Sequence, residues 1–428
     1  MALKDRALRS EVEDDNAELI KRFRSRLLEE INIEEISGLD MPQKRARLER
    51  VLARILSFEG PVMSTRNRAR LIQRIVDDTV GLGVLEPLIS DQSITEIMVN
   101  GVHNLFVERN GRIERIPSAF TSEEELYQTI DRIVSTVNRR VDESSPMVDA
   151  RLVGGERVNV IIPPLALDGP TMTIRRFPKP FRMHDLVAKA SLPHDVAELL
   201  GAMVRVRFNI LVSGGTGTGK TTFLNALSGM IPDHERIITI EDSAELSLQQ
   251  SHVVRLEGRP ANTEGKGEIS IRDLVKNSLR MRPDRIVVGE VRGGETMDML
   301  QAMNTGHEGS LTTVHANSAR DALGRLETLA SMSDLELPVD TIRDQINSAI
   351  DVIVQLERDS KGVRRVRQIE AVTSERRDGY TTEPIMRYEE ISQVGQSNFR
   401  LFRLPDVISA RIHSRGESIP GSFERSVL

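Results

Sequence analysis

The chain of 428 residues has no cysteine and no tryptophan, and aromatic side chains make up only 3% of it. Without thiols there is no disulfide and no thiolate metal site, which fits a reducing compartment. No apolar stretch approaches the roughly 20 residues that a membrane-spanning helix needs. The opening residues, Met1-Ala2-Leu3-Lys4-Asp5-Arg6, lack the apolar region of a signal peptide, so the expected location is cytoplasmic. Few rings and a net charge of −6 argue against a groove that grips nucleic acid through basic residues and stacked bases. What is present is ordinary. A hydrophobic content of 39% and a charged content of 29% describe a globular chain long enough for roughly two to four domains.

The most informative stretch is Gly214-Gly215-Thr216-Gly217-Thr218-Gly219-Lys220-Thr221-Thr222. It follows the apolar run 208–212 and precedes a helical pattern that aligns Phe223, Ala226, Leu227 and Met230. Strand, glycine loop and helix is the setting that G-x-x-x-x-G-K-[ST] requires. Glycines let the backbone curl so that N–H groups converge on phosphate oxygens, and the helix start adds its positive end. Lys220 supplies a point charge for the β- and γ-phosphates, and the Thr221 hydroxyl is a ligand for Mg²⁺. The chain is therefore expected to bind ATP with Mg²⁺.

The first eighty or so residues read as helices, with Leu19, Ile20, Phe23 and Leu27, then Leu48, Val51, Leu52 and Ile55, then Leu71, Ile72 and Ile75 at helical spacing. Their polar faces are rich in arginine. Strands are expected over 96–101, 104–108 and 112–116, with Asn110-Gly111 as a hairpin turn. Ser122 and Glu125 predict a capping box that opens a helix to about Arg139. Further strands fall at 148–152, 157–162 and 171–177. The prolines from 178 to 193 suggest a linker, and from 194 strand and helix alternate as in a doubly wound sheet. The strands there are 208–212, 237–240, 286–288, 310–314 and 352–356. Beyond 358, strands at 363–366 and 369–372 and a hairpin through Asp378-Gly379 are expected, then a mobile tail. The predicted organisation is a helical region 1–82, an α+β domain 83–178, a linker 179–193, a nucleotide-binding domain 194–358 and an irregular β extension 359–428.

P-loop hydrolases also need carboxylates at neighbouring strand tips. Ile286-Val287-Val288-Gly289-Glu290 ends in one, with Gly289 where an aspartate is usual. Glu290 is the candidate for polarising the attacking water. Ile240-Glu241-Asp242-Ser243-Ala244-Glu245 ends a second strand, and Glu241 is expected to assist at the metal, with Asp242 balanced between a direct role and helix capping. In 306–317, His315 and Asn317 follow a strand expected beside the P-loop strand, where a donor can register the γ-phosphate.

These boxes, in this order, resemble the secretion-ATPase superfamily of type II and type IV secretion and type IV pili. Ile97-Met98-Val99-Asn100-Gly101, the run 160–170 and Thr173-Ile174-Arg175-Arg176-Phe177 are similar to the CpaF family, the motor of tight-adherence (Tad/Flp) pili. The resemblance covers roughly 65–375. It implies a RecA-like P-loop ATPase core (class α/β) with an N-terminal α+β domain and a helical bundle, assembled as a homo-hexamer that holds ATP between the two domains. It also implies work at the cytoplasmic face of the inner membrane through platform proteins, with His307 and His315 in a two-histidine box. Arginines of the N-terminal domain complete the site in such motors, and Arg151, Arg157, Arg175 and Arg176 match those regions. A type IV or type II secretion ATPase, a nucleic-acid translocase and a nucleotide-gated scaffold are the alternative readings.

Overall fold

The structure is a computed structural model that describes residues 19–20, 22–31, 39–109, 112–116, 120–137, 139–176, 180–259, 261, 266–359, 362–374, 379–390 and 399–424. Its contacts divide into two units, Met1–Pro178 and Lys179–Leu428.

The first unit begins with helices. Residues 22–30 are helical and are followed by α1 (Met41–Glu59) and α2 (Thr65–Val80). Asp40 caps α1 by accepting from the backbone N–H of Gln43, with Pro42 in the first turn, and Ser64 caps α2 through the N–H of Asn67. Phe23, Leu27, Leu48, Leu52, Leu56 and Ile75 close a small core of their own.

A six-stranded antiparallel sheet follows in the order β3-β2-β1-β6-β5-β4, formed by β1 (Ile94–Asn100), β2 (Asn104–Arg109), β3 (Arg112–Ile116), β4 (Met147–Arg151), β5 (Arg157–Ile161) and β6 (Thr171–Arg175). Alternation sends Ile97, Val99, Val158, Val160, Met172 and Ile174 to one face, in one core with Leu126, Ile130 and Ile133 of α3 (Glu123–Ser135). Only half of the capping box forms. Ser122 accepts from the N–H of Glu125, but the Glu125 carboxylate turns to the N–H and hydroxyl of Thr121, at 2.8 and 2.6 Å. The helix also stops at Ser135, short of Arg139. β2 and β3 pair as a hairpin, while its expected turn, Asn110-Gly111, lies outside the described residues, as does Asp378.

The second unit is a nine-stranded sheet ordered β15-β14-β13-β12-β7-β11-β10-β8-β9. Its parallel strands are β7 (Ile210–Gly214), β8 (Ile237–Glu241), β9 (Val253–Glu257), β10 (Arg285–Val288), β11 (Leu311–Val314) and β12 (Val352–Arg358). In β7 every residue is buried, as expected of a parallel strand covered on both faces. Ile210 and Val212 pack on one side with Leu200 and Met203 of α5 (His194–Arg205) and Phe223 and Leu227 of α6 (Lys220–Ser228). Leu211 packs on the other with residues of α7 (Ile271–Ser278), α8 (Glu295–Asn304), α9 (Ala319–Ala330) and α10 (Val339–Ala349). Short α4 (Met183–Ala188) occupies the stretch expected to be linker, because Met183 and Leu186 are buried.

The C-terminal part differs most from expectation. β13 (Arg364–Val372) is one strand with a bulge, and with β14 (Thr382–Tyr388) and β15 (Phe399–Leu401) it extends the same sheet antiparallel from β12. The tail then forms α11 (Asp406–Ser414), whose Ile408 and Ile412 are buried with Phe423 in the core. Apolar burial holds these residues, so the segment is part of the sheet domain rather than an irregular extension.

At the N-terminal edge of this sheet Arg285 is fully buried. Its Nε and Nη2 donate to the Glu235 carboxylate at 2.5 and 3.1 Å, and further bonds reach the carbonyls of Val204 and Gly309. Each charge is compensated, which is what makes burial of the pair tolerable.

Candidate phosphate-binding and carboxylate site

The loop 214–219 leaves β7 and enters α6 through Gly219, whose φ of 95° is in the left-handed region where a side chain is strained. Gly217, at φ 71°, shares that requirement. The Lys220 ammonium is half-buried and donates to the carbonyls of Gly214 at 3.1 Å and Gly215 at 3.4 Å. Burial lowers its pKa from the usual lysine value. The Thr218 hydroxyl closes the loop onto the Gly215 carbonyl. Thr221 and Thr222 sit in the first turn of α6, and Thr216 is exposed at the loop tip.

Three neighbouring strands bring the other groups to the same edge. β11 pairs with β7, β10 with β11, and β8 with β10. Glu290 follows β10 and its Oε1 lies 4.0 Å from Lys220 Nζ. His315 follows β11 and is exposed between the P-loop strand and the Glu290 strand. Glu241 ends β8 and is buried. Its Oε2 accepts from the backbone N–H groups of Glu245 and Leu246 at 2.8 and 2.9 Å, while Oε1 is buried with no hydrogen-bond partner among the described residues. Burial raises its pKa, and the two N–H bonds oppose that.

Glu241 also accounts for Gly289. A Cβ on Gly289 would lie 2.9 Å from Glu241 Cγ and 3.5 Å from its Oε2. The Glu241 side chain thus fills the space that an aspartate at 289 would need. The carboxylate at this place comes from the neighbouring strand.

One expected residue of this unit does not gather here. His307 precedes β11 at the other edge of the sheet, where its carbonyl accepts from the Ser310 hydroxyl; four strand residues separate it from the phosphate-loop edge. Arg151, Arg157 and Arg175 stand in register on β4, β5 and β6, opposite one another on the face turned away from the first unit's core. Arg176, the next residue, turns elsewhere: its guanidinium binds the carbonyls of Asp91 and, at 3.1 Å, Ile94. In this way Arg176 braces the entry to β1.

Residues 78–388 match the type II/IV secretion system protein family. The chain belongs to that family. A Mycobacterium tuberculosis protein provisionally named for conjugal transfer is 38% identical over 299 residues, 68% of this chain and 84% of the relative. Conjugal transfer protein TrbB of Rhizobium radiobacter is 34% identical over 335 residues, 77% and 98% of the two chains. Type IV secretion system protein PtlH of Bordetella pertussis is 37% identical over 313 residues, 66% and 91%. Among solved structures, the pilus retraction motor PilT with bound ADP has a TM-score of 0.50 at 20% identity, covering 78% of this chain and 86% of that one. That likeness supports the fold, a RecA-like P-loop core.

Sequence reasoning missed two arginines in this secretion-family site. Arg292 binds Glu290 Oε2 through Nε at 3.1 Å and Nη2 at 2.7 Å, and its Nη1 lies 3.3 Å from Asp242 Oδ2. The Glu295 carboxylate accepts from the N–H groups of Arg292 and Gly293, fixing the turn that carries it. A Glu-x-Arg pair at a strand end was the available signal. Arg364 donates from Nε to the Gly217 carbonyl at 3.0 Å, and nothing local in the sequence points to it.

Proposed function

We propose that this chain is an ATP-hydrolysing motor that works as a hexameric ring at the cytoplasmic face of the inner membrane. Its work is assembly of a Tad/Flp pilus through platform proteins. The observation that carries the hydrolytic part is the approach of Glu290 to Lys220 at the mouth of the glycine loop. The loop's N–H groups and Lys220 bind the β- and γ-phosphates of ATP. Thr221 and the unpartnered Oε1 of Glu241 are suited to Mg²⁺, with Glu290 the third candidate ligand. Bound Mg²⁺ offsets charge on the phosphate oxygens.

Glu290 orients the attacking water and takes its proton. Arg292 pairs with this carboxylate, and a γ-phosphate competes for the same guanidinium. His315, at the end of β11, registers the terminal phosphate. Arg151, Arg157 and Arg175 of a neighbouring subunit add positive charge to the transferring phosphoryl group. The helical region, the α+β domain and the nucleotide-binding domain act as the moving parts.

The pilus branch rests on the stretches 97–101, 160–170 and 173–177. The names of TrbB and PtlH favour conjugation or type IV secretion as the second reading. Deletion of the gene separates the two. Loss of surface pili, restored by the wild-type chain, is the expected result. Intact pili with lost DNA transfer or protein export would move the assignment to a secretion motor.

A further inference from the structure

Gly217 presents a physical problem. A glycine admits both signs of φ with little preference, so the Gly217–Thr218 peptide could rotate freely in an exposed loop. A phosphate cradle works only if that peptide keeps its N–H on the inner side. The carbonyl and the following N–H of a planar trans peptide point in opposite directions. Fixing one therefore fixes the other.

Arg364 supplies the fixing contact. It opens β13, opposite Arg358 of β12, and reaches a loop 147 residues earlier in the chain, donating from Nε to Gly217 O at 3.0 Å. Its Cδ would be 3.4 Å from a Cβ placed on Gly219, so the aliphatic stem lies along the same loop. The arginine is itself anchored. Its carbonyl accepts from the Ser191 hydroxyl at 3.0 Å, and the Ser191 carbonyl accepts from the N–H of Val366 at 2.9 Å. Ser191 follows α4, close to where the chain enters this unit.

We infer that Arg364 is a positioning residue for nucleotide binding. It holds the Gly217 carbonyl outward so that the Thr218 N–H faces the phosphates before any ligand arrives, and it ties the loop to the segment after α4. This rests on the nucleotide-site reading above and extends it. The free loop is thereby organised in advance, which lowers the ordering cost of binding. The residues proposed for the chemical step, Lys220 and Glu290, do not touch Arg364 in the contacts described. Affinity should therefore change while the rate of the bound complex does not.

The test uses the full chain and a fluorescent ADP, with ATP turnover measured in parallel. Arg364→Gln should raise the Kd for ADP and the KM for ATP about tenfold, with kcat within a factor of about two. Arg364→Lys places an ammonium within reach of the same carbonyl and should recover affinity to within about threefold of wild type. Hydrogen exchange over 215–220 without nucleotide should be faster in Arg364→Gln. Unchanged affinity and exchange in Arg364→Gln would overturn the inference, as would a lysine variant no better than glutamine. A wild-type chain that binds no ADP would instead overturn the nucleotide-site reading.

Discussion

Lys220→Ala is expected to lower ATP turnover by about 10²- to 10³-fold, the usual cost of deleting one preorganised charge from a transition-state site. The ammonium already rests on the carbonyls of Gly214 and Gly215, and Glu290 stands 4.0 Å away. Phosphate oxygens are stronger acceptors than carbonyls, so the amine moves a short way to them when ATP binds. Burial depresses its pKa, and the Glu290 charge opposes that. Alanine leaves the Arg364 bond to the Gly217 carbonyl and the Thr218 bond to the Gly215 carbonyl in place. The loss should therefore appear in turnover and affinity with little change in thermal unfolding. Wild-type activity in this variant would remove the phosphate-loop assignment.

Glu290→Gln is expected to behave differently. Glutamine keeps the volume and one carbonyl oxygen, so ATP affinity should stay within a few-fold of wild type. It cannot accept the water's proton, and kcat should drop by about 10²- to 10⁴-fold. It also loosens the charge-assisted pair with Arg292, which holds the carboxylate by bonds of 2.7 and 3.1 Å. A guanidinium released from Glu290 is free to meet the γ-phosphate, so slightly tighter binding is consistent with the mechanism. Single-turnover measurements separate binding from chemistry. Normal turnover would end the role given to Glu290.

The parts of this site that could be read from the sequence were those encoded locally. The parallel strands β7, β10 and β11 are short runs buried throughout, as are the first five residues of β12, and such runs stand out. The phosphate loop is contiguous, and Glu241, Glu290 and His315 each follow a legible strand. The rest depended on which strands lie side by side. Gly289 reads as a missing aspartate until β8 is placed beside β10, when Glu241 is found in the space. Arg364 meets Gly217 across 147 residues. β9 escaped notice because Val253-Val254-Arg255-Leu256-Glu257 is a short edge strand with charged positions. In the tail, Ile408 and Ile412 at i,i+4 mark α11, but glycines and serines on either side obscured them.

The most direct measurement is specific ATPase activity of the purified chain over a wide range of protein concentration. If arginines of a neighbouring subunit complete the site, activity per subunit climbs with concentration and then saturates as rings form. Appreciable activity that stays flat down to monomeric dilution would contradict the account, because each subunit would then hold a complete site of its own.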